Sequence, residues 1–417
     1  MEINWKKNTA LFLIGQTLSF FGTMIVQYAI IWHVTLKSQS GTMMTLFIIA
    51  GFLPIIFISP FAGIWADRYN KKYVINIADG AISFFSLIVA IFLICGIENY
   101  VILLVCAFAR SIGQGVHNPA VSSLIPQIVP KEHLTRINGF QSSIQSAVNL
   151  SSPILSGALM TLAPLHTLFF LDVITAIIGI SIVLFFVKVP KAEVTENRSP
   201  EQKGSTYFHE LKEGLEYIKK HSYILLLIIL PCIYLFLFTP AGLLKPLQTA
   251  RNFGADVWRL SAIEIFFWLG TMSGGILIGI WGGFKNRIYT VSLSIFLSGL
   301  LALGLGFAPS FWIYIVIMVL LGLVQPLFGA PIMALLQSSV EPAFMGRVMS
   351  VVSMSISIIN PLGIAVFGPL ADKISINTLL IITGILLSLL CIPMLASKTL
   401  REAGRSHLQV KTKTVND

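Results

Sequence analysis

GIWADRYNKK (63–72) sets four charges, Asp67, Arg68, Lys71 and Lys72, within ten residues of an otherwise apolar chain. A paler copy, GIWGGFKNR (279–287), follows 216 residues later. The chain has 417 residues, 55% of them hydrophobic and only 11% charged, where a soluble domain carries about 25% charge. That is too little polar surface to coat a water-soluble globule of this size. Its long apolar runs match the roughly 20 residues needed to cross about 30 Å of hydrocarbon. The composition therefore predicts an all-α, polytopic membrane protein, because lipid satisfies no open backbone.

Twelve apolar runs predict twelve transmembrane helices, at 10–34, 43–66, 74–95, 100–123, 137–162, 167–188, 223–247, 258–282, 289–307, 311–333, 346–369 and 376–397. With the N-terminus cytoplasmic, 22 Lys and Arg fall on the inner side and five outside (Lys37, Lys245, Arg251, Arg259 and Lys373), with Arg110 inside a span. Positively charged loops stay inside, so both termini are predicted to be cytoplasmic at a cytoplasmic cell membrane. The net charge of +10 is then a topology signal, and no nucleic-acid partner is expected. The run from Thr9 to Val34 is too long for a cleavable signal.

The two copies of the charged turn belong to a larger repeat. NPAVSSLIPQIVP (118–130) aligns with APIMALLQSSVEP (330–342), pairing Pro119 with Pro331 and Pro130 with Pro342, and each is followed by an arginine, Arg136 or Arg347. Ser152-Pro153 in the fifth span answers Asn360-Pro361 in the eleventh. Three segments in register predict two six-helix halves, 1–188 and 223–397, joined by a linker at 189–222 and followed by a tail at 398–417. In the linker, Phe208, Leu211, Leu215 and Ile218 stand at helical spacing, which predicts an amphipathic helix on the inner membrane surface.

Gly63, Asp67, Arg68 and Lys71 resemble the Gly-x-x-x-Asp-Arg-x-x-x-basic loop signature of the major facilitator superfamily, and the resemblance covers residues 5–397. QYAIIWHVTLKSQSG (27–41), ARSIGQGVHNPA (109–120) and FMGRVMSVVSMS (344–355) resemble more narrowly the drug:proton antiporters of the macrolide-efflux type. The resemblance implies the major facilitator fold. It also implies a conformational latch at the 2–3 loop, formed by Gly63, Asp67, Arg68 and Lys71. On physical grounds Gly63 lets two helices approach closely, and Asp67 is suited to cap a helix N-terminus. In the second copy Gly283 replaces the aspartate, so that copy is not expected to latch. Ser152-Pro153-Ile154-Leu155-Ser156-Gly157 resembles a degenerate form of the antiporter signature Gly-Pro-x-x-Gly-Gly, in which Ser152, Pro153 and Gly157 form a helix-packing motif.

Ionisable residues inside a bilayer are costly and mark functional candidates. Arg110, Asp172, Glu264 and Asp79 are the four in question. Arg110 lies near mid-depth and resembles the arginine of the family's fourth-helix motif, which implies proton coupling. Its alternative is a structural pairing with a buried carboxylate or a backbone carbonyl. Glu264, beside Phe266, Phe267 and Trp268, suits proton exchange for a cationic drug, or else a polar place at the outer rim. Asp172 and Asp79 are further candidates for coupling or substrate contact, and Asp79 also suits helix packing or a partnership with Arg68. The first span has no carboxylate; its polar groups are Gln16, Gln27 and His33. His33 and His117 sit near span ends, where an imidazole titrates close to neutral pH.

The four cysteines have neither metal nor disulfide spacing, and they read as small apolar side chains. No metal site, no cofactor and no nucleophile–base constellation emerge, so the chain reads as no enzyme. It also has no phosphate-binding loop, so transport would draw on an ion gradient. Taken with the resemblance, these features predict a monomeric secondary transporter. It would exchange protons for lipophilic, macrolide-like drugs by alternating access in the lipid bilayer. An exporter of siderophores or tetracyclines, an importer, and a membrane partner of another efflux pump are the alternatives.

Overall fold

The computed structural model describes residues 4–189, 212–341 and 344–402, without the side chains at 60, 63, 64, 66–68, 131 and 135. Among the described residues the chain is helical and contains no strand. Trp5–Ser38 (α1), Gly41–Arg68 (α2), Lys71–Ile94 (α3), Tyr100–Ile128 (α4), Leu134–Leu162 (α5) and Leu165–Phe186 (α6) come first. A helix at 212–220 (α7) follows. Then come Ser222–Leu243 (α8), Lys245–Asn252 (α9), Val257–Trp281 (α10), Arg287–Phe307 (α11), Phe311–Ser339 (α12), Met345–Lys373 (α13) and Ile376–Ala396 (α14).

Eleven of these spans are long and apolar enough to cross a membrane, α8 and α9 counting as one. The twelfth is α5, which has the length, 29 residues, but interrupts its apolar pattern with Gln141, Ser142, Ser143, Gln145 and Ser146. The architecture is the twelve-helix membrane fold.

Short polar caps set where the helices begin. Asn70 accepts from Lys72 N at 3.1 Å, Asn99 from Val101 N at 2.7 Å, and Asn286 from Ile288 N at 3.1 Å. Each satisfies an orphan donor of the first turn. The cap opening α3 is therefore Asn70 and not Asp67, which lies in the last turn of α2. Polar caps suit these positions because water and headgroups lie just beyond.

The two copies of the charged turn differ in backbone. In the first, α2 stays helical through Arg68, leaving only Tyr69 and Asn70 as the connection. In the second, α10 stops at Trp281, and Gly282 and Gly283 take φ of 72° and 81°, a conformation that glycine adopts without strain. A Cβ on Gly283 would also lie 2.8 Å from Thr290 Oγ1. The paler copy is thus a different turn, and its glycine is required by the path of the chain.

Contacts divide the chain into two compact units, 1–193 with 250–265, and 194–249 with 266–417. In the first, α1 packs on α5 and α6, α2 on α4, and α3 on α4 and α6. In the second, α8 packs on α13 and α14, and α11 on α12 and α14. There α10 lies against α12, where Gly270, Gly274 and Gly322 face the backbone of the opposite helix. Each of the pairings just named in the first unit thus recurs in the second.

Of the apolar stripe expected in the linker helix, Ile218 is buried and Leu215 is exposed. Phe208 and Leu211 lie outside the described residues. Within 212–220 the buried positions are Gly214, Tyr217 and Ile218, while Leu215 is exposed. Tyr217 stacks on Phe344 with ring centres 4.5 Å apart, Glu213 meets Arg347 at 3.0 Å, and Gly214 lies against the Arg347 carbonyl. The helix docks on the second unit because a tyrosine ring buries more area than a leucine and also finds a stacking partner.

Candidate functional site

The first unit carries a charged centre at mid-depth. Arg110 on α4 pairs through Nη1 with Asp172 Oδ2 on α6, and both side chains are at least 98% buried. Ser86 of α3 donates to the same carboxylate oxygen at 2.6 Å and accepts from Arg110. From α1, Thr23 donates to Asp172 Oδ1 at 3.4 Å, and its backbone carbonyl accepts from Arg110 Nη2 at 3.3 Å. Gly22 is what brings α1 this close, since a Cβ there would collide with Thr175 Oγ1. Two candidates separated by 62 residues thus form one site, and both structural pairings considered for Arg110, a carboxylate and a backbone carbonyl, occur together. A buried pair is tolerable only when its remaining donors and lone pairs are satisfied. Here four helices supply them.

Seven residues further along α4, about 10 Å at 1.5 Å per residue, lies His117. Its Nε2 is 3.3 Å from Oδ1 of Asp79 on α3. Asp79 is buried, as is Asn76 one turn earlier on the same helix.

Glu264 is buried in the second turn of α10; it does not stand exposed at a rim. Three residues before it, Ser261 meets the packing motif of α5. A side chain on Gly157 would collide with Ser261 Oγ and would also lie 3.6 Å from Trp32. Ser156 donates to the Ile25 carbonyl at 3.1 Å, and Ser152 and Pro153 are buried. The motif therefore seats α5 on α1 and on the start of α10.

Each unit also exposes a polar stripe along one helix: Asn138, Ser142 and Gln145 on α5, and Ser350, Ser353 and Ser357 on α13. Polar faces of this kind are unfavourable against lipid and belong where water reaches.

At the end of the first unit remote from the α2–α3 turn, a cavity of about 420 Å³ is lined by His33, Lys37, Glu98, Met160, Pro164 and His166. Glu98 bridges His33 and Lys37, each at 2.5 Å. The hydrogen bond from the Lys37 ammonium holds its carboxyl below the usual carboxylate range.

Of the residues expected to form a latch, Gly63, Asp67 and Arg68 fall in the last turns of α2, and Lys71 opens α3. The side chains of the first three lie outside the described residues. Among the described residues no cluster of three or more His, Cys, Asp or Glu is placed to hold a metal ion. Cys106 is buried, but Cys95 is exposed, so the reading of all four cysteines as packed apolar groups fails at that residue.

The family model described as Major Facilitator Superfamily matches residues 12–363 and 232–414. The chain belongs to the major facilitator superfamily. Within that superfamily it is 30% identical over 390 residues to macrolide efflux protein A of Streptococcus pyogenes, covering 92% of this chain and 94% of that protein. It is also 30% identical over 320 residues to macrolide efflux protein A of Enterococcus faecalis, covering 75% and 96%. Among solved structures, a bacterial homologue of the human lysosomal transporter Spinster superposes with a TM-score of 0.69 at 13% identity, covering 98% of this chain and 99% of that one. This membership makes the chain a multi-pass protein of the cell membrane, from a family of transporters.

The neutral partners of the charged centre were not singled out in the sequence. Ser86 sits in the apolar run AISFFSLIV, and Thr23 in GTMIV. A hydroxyl carries no charge signal, so only the fold reveals which of many serines meets the carboxylate.

Proposed function

We propose that this protein is a proton-coupled exporter of macrolide-like, lipophilic cations, working as a monomer by alternating access with both termini in the cytoplasm and no enzymatic step of its own. The macrolide assignment is supported by the 30% identity to macrolide efflux protein A over nearly the whole chain. Proton coupling is carried by one observation, the set of charged side chains buried inside membrane-spanning segments: Glu264, Asp79, Asp172, Arg110 and Lys245. Such groups are retained against their desolvation cost when charge must move through the bilayer.

In this reading Arg110 and Asp172 form a fixed charged hub. Glu264 and Asp79 exchange the proton, and the polar stripes on α5 and α13 lead water and substrate past them. Gly63, Asp67, Arg68 and Lys71 act as the conformational latch, and Ser152, Pro153 and Gly157 let α5 move as one body with α1. One proton moving down a membrane potential of about 100 mV supplies roughly 2.3 kcal/mol.

The test is accumulation of radiolabelled macrolide in cells producing the chain, with and without a protonophore, beside Glu264→Gln and Arg110→Ala at matched protein level. Low accumulation that rises with protonophore is expected, with both variants accumulating drug as de-energised cells do. Accumulation equal to that of empty cells refutes the macrolide assignment.

A further inference from the structure

Between the charged centre and the α2–α3 turn end of the first unit lies a polar layer whose atoms lack partners. Gln16 presents both Oε1 and Nε2, Asn76 both Oδ1 and Nδ2, Asp79 its Oδ2 and His117 its Nε2, all buried and without a hydrogen bond. His117 Nε2 is 3.3 Å from Asp79 Oδ1, at ion-pair range without hydrogen-bond geometry. Elsewhere the buried orphans include isolated hydroxyls such as Thr9, Thr35, Ser152 and Ser292. Here six such atoms come from four side chains, with His117 3.3 Å from Asp79 and Asn76 one turn before Asp79 on α3.

The helices set where these side chains lie. Gln16 lies on the α1 face that carries Phe12 below and Thr23 above, since these positions repeat at helical spacing. Gly15 of α1 abuts Gly179 of α6, and Gly80 of α3 abuts Ile180 of α6. Below the layer, Phe12, Ile75, Ala120, Leu124 and Val183 close a dry apolar cluster. Above it, Arg110 and Asp172 are mutually satisfied. Asn76 and Asp79 are more than nine-tenths buried, whereas Gln16 and His117 are half-buried. The layer thus forms a polar recess within the apolar packing, enclosed at Asn76 and Asp79 and more accessible at Gln16 and His117.

Leaving six polar atoms dry would cost more than a marginally stable fold tolerates. A bare cation would serve the oxygens alone and leave both amide NH₂ groups unsatisfied. Water donates and accepts, and so matches a set of this mixed kind. We infer that this recess is a hydrated proton-binding site, in which water bound by Gln16 and Asn76 delivers a proton to the Asp79–His117 pair. The proton comes from solvent through the bound water, rests between Asp79 and His117, and returns by the same route.

No other described ionisable side chain faces the recess. Between Phe12 and Thr23, α1 carries no titratable residue. On α3, Lys72 is turned away, donating to the Val187 carbonyl at 2.7 Å. The nearest charges on α4 and α6 are Arg110 and Asp172, already paired. The charged residues of α2, Asp67 and Arg68, have side chains outside the described residues. The physiological role of this site rests on the proton-coupled reading above, but its existence does not.

The test is infrared difference spectroscopy of the full chain in lipid nanodiscs, stepping between about pH 5 and pH 8, where an imidazole titrates. The expected spectrum contains a titration band abolished by Asp79→Asn and by His117→Gln but retained in Glu98→Gln. It also contains a bound-water stretch that shifts in H₂¹⁸O and is lost in Asn76→Leu. A wild-type spectrum with no ¹⁸O-sensitive band, or one unchanged by Asp79→Asn, overturns the proposal.

Melting temperature supplies an independent sign. Asn76→Leu and Gln16→Leu lower it if the recess is wet and raise it if the recess is dry. Should the leucine variants not fold, the wild-type ¹⁸O spectrum decides. Neither readout requires drug transport, so failure of the macrolide assay and failure of this site remain distinguishable.

Discussion

Where α4 of the first unit buries Arg110, α12 of the second buries Leu321. Buried positions fix the correspondence. Ile75, Ala78, Asp79, Ile82, Ser83, Ser86 and Ala90 of α3 match Val291, Ser294, Ile295, Ser298, Gly299, Ala302 and Gly306 of α11, in step with the caps Asn70 and Asn286. Leu103, Ser111, Val121 and Leu124 of α4 match Tyr314, Gly322, Ile332 and Leu335 of α12, one residue off the alignment of Pro119 with Pro331. Leu168, Asp172, Ala176 and Val183 of α6 match Leu379, Thr383, Leu387 and Met394 of α14. Arg110, Asp172, Asp79 and Ser86 thus correspond to Leu321, Thr383, Ile295 and Ala302.

The polar groups buried on α8, α11, α12 and α14 of the second unit are neutral; its buried charge, Lys245, lies on α9 with its ammonium 4.2 Å from the centre of the Phe267 ring. Tyr234 shares its hydroxyl with Ser298 and Gln325, each at 3.1 Å, and Gln248 joins Tyr314 at 3.0 Å and the Leu305 carbonyl at 2.9 Å. The same helix pairings hold with or without buried charge, so the charge of the first unit is not what makes the fold.

The sharpest way to break this comparison is to convert one unit's chemistry into the other's. Arg110→Leu alone strands a buried carboxylate and is expected to cost about 3–5 kcal/mol, seen as a large fall in melting temperature in detergent. Arg110→Leu with Asp172→Thr, the pair carried by the second unit, is expected to regain most of that loss. If the double variant is no more stable than the single one, the correspondence of the two cores is wrong.

Next in size is the α5 seat. Gly157→Ala drives a methyl into Ser261 and is expected to cost about 1–3 kcal/mol, with partial recovery when Ser261→Gly is added. No recovery would place the strain elsewhere. In the second unit, Tyr234→Phe removes one hydroxyl from a neutral network and is expected to cost about 1 kcal/mol. A loss as large as that of Arg110→Leu would mean that this network, too, bears on a charged group.

The smallest effect belongs to the exposed bridge at Glu98. Its folded pKa is depressed, so the stability it adds is present above the ordinary carboxylate value, about 4.3. That stability is lost as pH falls through the lower folded value. Lys37→Gln should move this loss to higher pH while changing neutral-pH stability by less than about 1 kcal/mol. A melting-temperature profile between about pH 3 and pH 6 reads both effects.

Much of the fold was legible in the chain. Apolar length gave twelve spans, and the two GIW turns with the proline segments gave the repeat. Individual residues were harder to place. Asp67 reads as a cap and Asn70 holds that place; of the linker's apolar stripe Ile218 is buried, while Leu215 is exposed and Tyr217 is buried instead. Prolines align the fourth and tenth spans one residue away from the register that burial shows. The first case turned on where one helix ends and the next begins, and the other two on the rotation of a helix about its axis, which apolarity all around a membrane helix leaves unmarked.

By itself, the sequence determined the all-helical membrane fold, its duplication and the presence of costly charges inside it, because bilayer thickness and backbone satisfaction leave no other solution for such a chain. Tertiary structure alone decided that Arg110 and Asp172 are partners, that Asp79 faces His117 one turn from the unsatisfied amide of Asn76, and that Gly283 closes a different turn from Asp67. Those outcomes depend on which faces of α1, α3, α4 and α6 meet, and contacts between residues so far apart in the chain are set by packing.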